Sequence, residues 1–413
     1  MSGSLTDLEH GRGAYNPAMM RSVVVFFLLC LTVLPGCFLC SPTVRVATFN
    51  TALSRGVEGQ LHAALSTDHD EQAKLVAEVL QRTRPDVVLL QEVDYDATGQ
   101  AYEDFQRNYL SVSQNGAKPI EYAYFYAPPV NTGVLAEVDL DGDGKITRPN
   151  DCHGYGLFDG QFGMVVLSRF SIAIDEIEEK YDLRMKVWGS LEDSNMPSEY
   201  YTPQARQHLR LSSKTHVDLP IRIDGKYVRL FISHPTPPVF DGPEDRNGLR
   251  NRDEIWLWEK YIHKRTFNPL TTWSFSGDRD ADERFYSWLS NFIVIGDLNA
   301  DPNDGESRRD ALLPLFNPQN GLQDPKPRSL GAVEAAREQG GKNLTHRSDP
   351  STDTADFGDD DRGPGNLRVD YVLPSIFLDV MGSGVYWPTK DDPHAYLNKA
   401  SDHKLVWIDI RLP

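Results

Sequence analysis

Polar residues with catalytic chemistry recur at the ends of apolar runs in this chain. Asn50 closes the run 44–49, and Glu92 follows Val87-Val88-Leu89-Leu90-Gln91. His234 follows Leu230-Phe231-Ile232-Ser233, and Asp297 and Asn299 follow 292–296. Asp370 lies inside Arg368-Val369-Asp370-Tyr371, and Asp402-His403 precede the run 405–410. Side chains two apart on an extended segment face the same way, so Asp297 and Asn299 can serve one site. Carboxylates, amides and two imidazoles brought together suit hydrolysis assisted by a hard divalent cation, which takes oxygen ligands.

The elements that must position these groups are legible from pattern. β-Branched and aromatic residues over 44–49 predict a strand. Val87–Leu90, a continuous apolar run, predicts a strand buried on both faces. Further strands are expected at 164–167, 228–233, 292–295, 369–373 and 405–410. Leu75, Val76, Val79 and Leu80 repeat at helical spacing. Asp68 and Glu71 read as the capping box of that helix, and Pro85 as its stop. The segments 236–254, 298–329 and 340–366 read as long polar loops, the last carrying Asp353, Asp356, Asp359, Asp360 and Asp361. Strands alternating with helices and loops argue for an α/β class, and no linker or repeat divides the body.

Six short segments together resemble one family. They are Thr48-Phe49-Asn50, Leu90-Gln91-Glu92, Ser233-His234, Gly296-Asp297-Leu298-Asn299-Ala300, Arg368-Val369-Asp370-Tyr371 and Ser401-Asp402-His403. Each is weak alone. All six occur in the order found in the endonuclease/exonuclease/phosphatase (DNase I-like) family, across the whole body of the chain. The resemblance implies a four-layer α/β/β/α sandwich, two packed mixed sheets flanked by helices, with the site at one end. It implies Glu92 as the main Mg²⁺ (or Mn²⁺) ligand, with Asn50 and Asp402 in or near the metal shell. Asp297, helped by Asn299, would orient and deprotonate the attacking water. His403 would contact the scissile phosphate, Asp370 would hold its ring, and His234 would donate to the phosphate or protonate the leaving oxygen. Phosphoryl transfer asks for positioning and charge neutralisation, which such a set supplies.

Other features are weighed beside their plainer readings. Asp139, Asp141 and Asp143 followed by Gly144 match the start of a calcium loop over 139–151. Position twelve of the loop is Asn150, with Asp151 one later, so an irregular loop holding structural Ca²⁺ stands beside an acidic surface turn. Arg246 and Arg250, in an insertion hanging from His234, read as candidate substrate-phosphate contacts or as surface partners of Glu244, Asp245 and Asp253. His216 and His346 read as satisfied structural histidines, and Cys152 as a small buried apolar residue. Asp370 could instead pair with Arg368.

Residues 1–42 read as a targeting segment, and 43–413 as the domain. Arg21, the apolar run 23–34 and Leu34-Pro35-Gly36-Cys37 describe an export signal, with Met19 or Met20 as an alternative start. Leu-x-Gly-Cys resembles a bacterial lipoprotein box, so a lipid on Cys37, a cleaved signal and an uncleaved anchor are the alternatives. The expected location is the bacterial cell envelope, periplasmic or extracellular. A formal charge of −18 disfavours tight nonspecific binding of nucleic acid. With one body cysteine, no disulfide framework supports the fold. The leading expectation is an exported hydrolase acting on a phosphate ester: a lipid head group, a sugar phosphate or nucleic acid. The alternatives are a calcium-stabilised surface binding module on the same fold and a metal-binding structural lipoprotein. No protein partner is evident.

Overall fold

The structure is a computed structural model and describes residues 43–174, 182–267, 290–358 and 363–413. Residues 1–42, expected to form a targeting segment, with Cys37, and Asp359–Asp361 lie outside the described residues. The unit described here runs Thr43–Pro413. Among the described residues no helix is long and apolar enough to cross a membrane.

The strands are β1 (Thr43–Asn50), β2 (Val87–Gln91), β3 (Tyr124–Tyr126), β4 (Met164–Ser168), β5 (Ser171–Ile172), β6 (His216–Ile223) and β7 (Lys226–Ser233). They continue with β8 (Phe292–Asp297), β9 (Ala355–Asp356), β10 (Asn366–Leu367), β11 (Asp370–Pro374), β12 (Asp379–Tyr386) and β13 (Leu405–Arg411). One sheet has the order β12-β13-β1-β2-β4-β3, and the other β11-β8-β7-β6-β5, with β9 and β10 paired apart. Each sheet is mixed: β1 runs parallel to β2 and β7 to β8, and the other pairings are antiparallel.

Alternation along the strands builds the layers. Val44, Val46, Val87, Leu89 and Val166 of the first sheet meet Leu219, Leu230, Ile232, Ile293 and Ile295 of the second. The intervening residues Phe49, Val88 and Leu90 face outward onto helix Glu71–Thr83, through Val76 and Leu80. On the far side, Phe231, Val294 and Tyr371 face Ile255 and Trp258 of helix Arg246–Phe267. These are the four layers of an α/β/β/α sandwich. Truncating a residue such as the fully buried Leu89 to Ala costs about 2–5 kcal/mol, because the sheets cannot close over the gap.

Two local expectations shift. Helix Glu71–Thr83 takes Asp70 as its N-cap, its carboxylate accepting from Ala73 N at 2.8 Å; Asp68 stays in solvent. The polar segment expected over 236–254 is half helix. Its loop ends where helix Arg246–Phe267 begins, because Ile255, Trp258 and Ile262 bury against the sheet while the first turns stay polar.

The topology brings the candidate residues together. Asn50, Asp297 and the residues after β2 and β7 lie at C-terminal strand ends. Antiparallel pairing sets Asp370 opposite Asp297 and His216 opposite Ser233, so β11 and β6 begin at that same end.

Candidate active site

Asp297 stands at the centre. Its Oδ2 accepts from Asn50 Nδ2 at 3.0 Å and lies 3.3 Å from His234 Nε2 and 3.7 Å from His403 Nε2. Its Oδ1 accepts from the backbone N of Asn299 at 2.9 Å. Gly296 makes the position attainable: at φ 148° a Cβ there would sit 2.0 Å from the carbonyl oxygen of Ser233. Asn299 (φ 50°) and Glu92 (φ 56°) both hold left-handed backbone. Such strain persists where surrounding structure enforces it, here just past the ends of β2 and β8.

His403 is held from behind. Its Nδ1 lies 2.9 Å from Asp370 Oδ2, which also accepts from Thr354 Oγ1 at 2.7 Å. A carboxylate on one ring nitrogen fixes the tautomer and leaves the other nitrogen for the site. Phe357 packs edge-on against the ring, at 5.3 Å between centroids. One ligand atom each from Asp297, Asp370 and His403 falls within 4.8 Å of the others, and all three residues are buried.

Burial and charge set the protonation states apart. Burial pushes Asp297 upward, but His403, then the bonds from His234 and Asn50, hold its carboxyl below the usual carboxylate range. Burial raises Asp370. Burial pulls His403 down, and the flanking Asp370 and Asp297 overcome it, so the ring stays raised and protonated. His234 goes the other way: burial, then the charge of Lys214, lower it, and its Nδ1 is buried without a partner. A base held ionised beside an acid held protonated is the division of labour that acid–base catalysis needs.

Asn50 also donates to Glu92 Oε1 at 3.1 Å, so amide and carboxylate lie side by side at the ends of parallel neighbours. The Glu92 carboxylate is a hard oxygen donor of the kind Mg²⁺ and Mn²⁺ take, while Asn50 Oδ1 accepts from the backbone N of Ala52 at 3.2 Å. Asp402 is exposed and accepts from its neighbour Ser401 at 3.2 Å; the structure leaves it at the rim. Arg246 pairs with Glu244 and lies over the Tyr200 ring at 4.9 Å. Arg250 is buried and donates to the carbonyls of Leu211, His153 and Arg210, which makes it a brace of the chain beside the site. Arg368 pairs with Asp324, leaving Asp370 to His403.

In the loop 139–151, Asp139, Asp141 and Asp143 come together. Asp151 is buried apart from them, accepting from Leu140 N and Thr147 N at 2.6 and 2.7 Å. His216 is satisfied between Ser212 Oγ and the Glu254 carbonyl, and His346 by the Pro364 carbonyl. Cys152 is buried, which pushes its thiol up to about 11.

Lys214, Thr354 and Glu254 belong to the site and were not legible in the sequence. Lys214 is buried, and burial lowers its ammonium while Glu254, Glu92 and Asp297 act in the opposite sense. Glu254 accepts from Ser213 N and Thr236 N, tying the approach to β6 to the loop after His234. None of the three belongs to a segment that matches the family's six motifs, the signal that marked the others.

A search against protein families matches residues 47–403 to the Endonuclease/Exonuclease/phosphatase family, and the chain belongs to it. Among solved structures, the chain is similar to an endonuclease/exonuclease/phosphatase from Beutenbergia cavernae, at 16% identity, covering 90% of this chain and 72% of that one, TM-score 0.48. It is similar to the human Nocturnin catalytic domain, solved with bound sulfate, at 14% identity over 90% and 94%, TM-score 0.45. Sphingomyelinase C from Streptomyces griseocarneus aligns at 14% identity over 89% and 99%, TM-score 0.43. No match was found among curated proteins.

Proposed function

We propose that the chain is a divalent-cation-dependent hydrolase of phosphate esters. One observation carries the reading: a buried, ionised Asp297 touches Asn50, His234 and Asn299 and faces a His403 ring that Asp370 holds protonated. Asp297 takes a proton from the attacking water as its oxygen bonds to phosphorus. The bond from phosphorus to the leaving oxygen breaks, and His403 gives that oxygen a proton. Asp297 and His403 are near enough to restore each other's protonation through one water. His234, kept neutral, fixes Asp297, and Lys214 adds positive charge beside the phosphoryl oxygens. Glu92, with Asn50 beside it, would hold Mg²⁺ or Mn²⁺, which when bound neutralises phosphoryl charge. The targeting pattern in 1–42 supports action outside the cytoplasm, and the acidic chain favours a small phosphate ester over long nucleic acid.

The test is a substrate panel with the purified chain: bis-p-nitrophenyl phosphate, p-nitrophenyl phosphate, sphingomyelin, phytate and plasmid DNA, each with Mg²⁺, Mn²⁺ or EDTA. Turnover of at least one, abolished by chelator, is expected, and the preferred member gives the substrate class. Metal-independent turnover would remove the cation from the reading. Calcium-stabilised binding without turnover would favour the binding module.

A further inference from the structure

Beyond the catalytic cluster, the same end of the sandwich carries a second concentration of positive charge. Arg210 Nη1 donates to Asn131 Oδ1 at 2.7 Å, and Arg184 Nη1 reaches the same oxygen at 3.5 Å. Asn131 is fully buried and fixed by its own donations to the carbonyls of Ser212 (2.7 Å) and Arg184 (3.0 Å). Two guanidinium groups are thus drawn onto one neutral acceptor, whereas paired arginines ordinarily take a carboxylate.

Among the described residues little negative charge compensates the pair. Among the described residues the acidic group facing the pair is Asp182, 3.7 Å from Arg184 Nε, and that nitrogen is buried with no hydrogen-bond partner. Burial and then Arg184 lower Arg210. Burial, then Arg210, Arg250 and Arg184, push His153 down to about 3, so the imidazole between them is neutral. Both arginine side chains are half-buried and open to solvent. Bringing like charges together in a partly dry place is unfavourable unless an anion joins them. In a chain of net charge −18, this pairing is not a by-product of a basic surface.

The position relates the pair to the catalytic centre. The Asn131 backbone N donates to the Lys214 carbonyl at 2.9 Å, and Lys214 faces Glu92 and Asp297. Arg210 precedes β6 by six residues, and β6 starts opposite Ser233, next to His234. Lys214, Arg210 and Arg184 are therefore joined through Asn131 and the short segment 210–214.

We infer that Arg184 and Arg210, aligned on Asn131, form an anion subsite that takes a second phosphate group of the substrate while the scissile phosphate sits at Asp297. The assignment of this anion to the substrate rests on the phosphoester reading; the existence of the subsite does not. A substrate of this kind is a small molecule bearing two phosphates.

Two measurements test it separately. Inorganic phosphate is titrated calorimetrically into the full chain in EDTA, for the wild type, Arg184→Gln/Arg210→Gln, Arg210→Lys and the exposed control Lys342→Gln. The expected result is saturable binding that weakens at least about tenfold in the double variant, is partly kept by Arg210→Lys and is unchanged in the control. The kinetic arm compares p-nitrophenyl phenyl phosphate with its analogue carrying a second phosphate on the phenyl ring. The double variant is expected to raise KM about tenfold for the bisphosphate alone, with kcat held. Phosphate binding that is absent, or equal in wild type and double variant, overturns the subsite even if both esters are hydrolysed. Arginine-dependent binding with neither ester hydrolysed keeps the subsite and overturns its link to the hydrolase reading. Equal KM changes for both esters overturn the second-phosphate role.

Discussion

Two regions of this chain gather acidic groups closely enough to share an ion, and they are built in opposite ways. The first unites Asp297, Asp370 and His403, all buried. The second unites Asp139, Asp141 and Asp143, partly or fully exposed. The first draws on residues more than a hundred positions apart when Asn50 is counted, held by pairing between β8 and β11. The second is one turn of chain whose carboxylates accept from the nearby backbone N–H groups of Gly142, Gly144, Asp143 and Lys145. Burial lets neighbours shift the first set's protonation strongly. Water screens the second set, whose carboxylates behave as turn caps. Proximity of carboxylates is thus weak evidence of chemistry, whereas proximity enforced by the core is strong.

The largest effect separating the two regions is on rate. Asp297→Asn should lower kcat/KM for the preferred phosphate ester by about 10²–10⁴-fold, and Asp141→Asn by less than twofold. Comparable losses would dissolve the contrast. Asp370→Asn should cost less than Asp297→Asn, of order 10²-fold, since it acts by holding the His403 ring and its charge. Thr354→Val, which removes one of two bonds to Asp370 Oδ2, should cost less again, and steady-state kinetics on the three variants gives the ranking. A Thr354→Val loss exceeding that of Asp370→Asn would contradict the proposed support.

A stability effect sharpens the contrast between buried and exposed carboxylates. Burial, then Asp301, Asp304 and Asp349, push Asp353 up to about 8. A carboxyl raised in the folded state keeps its proton where the unfolded chain has lost it, so stability falls as pH rises from about 4 to about 8. Asp353→Asn should flatten that fall and raise the midpoint of thermal unfolding at pH 8 relative to wild type; an unchanged pH profile would show that the carboxyl ionises freely. The smallest effect belongs to the exposed loop. In EDTA, Asp143→Asn should change stability by no more than about 0.5 kcal/mol in denaturant unfolding.

The sequence marked the centre of the candidate site because its residues flank apolar runs: Asn50, Glu92, His234 and Asp297 close such runs, and His403 stands just before one. The family resemblance supplied the sandwich, which the match over 47–403 supports. What stayed hidden depends on contacts between distant segments. Strand β6 carries Pro220 and the buried charge Asp218, which break an apolar reading, although β7 pairs along its whole length. Helix Arg246–Phe267 starts with polar residues that look like loop, and its packing face begins only at Ile255. Lys214 and Thr354 gain their meaning from partners at the far ends of other strands, and no local pattern marks them. Of the two readings weighed for Arg246 and Arg250, Arg246 pairs with Glu244, as the plainer one has it, and Arg250 turns to backbone carbonyls.

The most direct test of the central claim is the hydrolysis of bis-p-nitrophenyl phosphate by the full chain and by Asp297→Asn, each with Mg²⁺ and with EDTA. The account predicts turnover by the wild type that chelator abolishes and that the variant lacks. Turnover of equal rate in the variant, with both proteins folded, would contradict it.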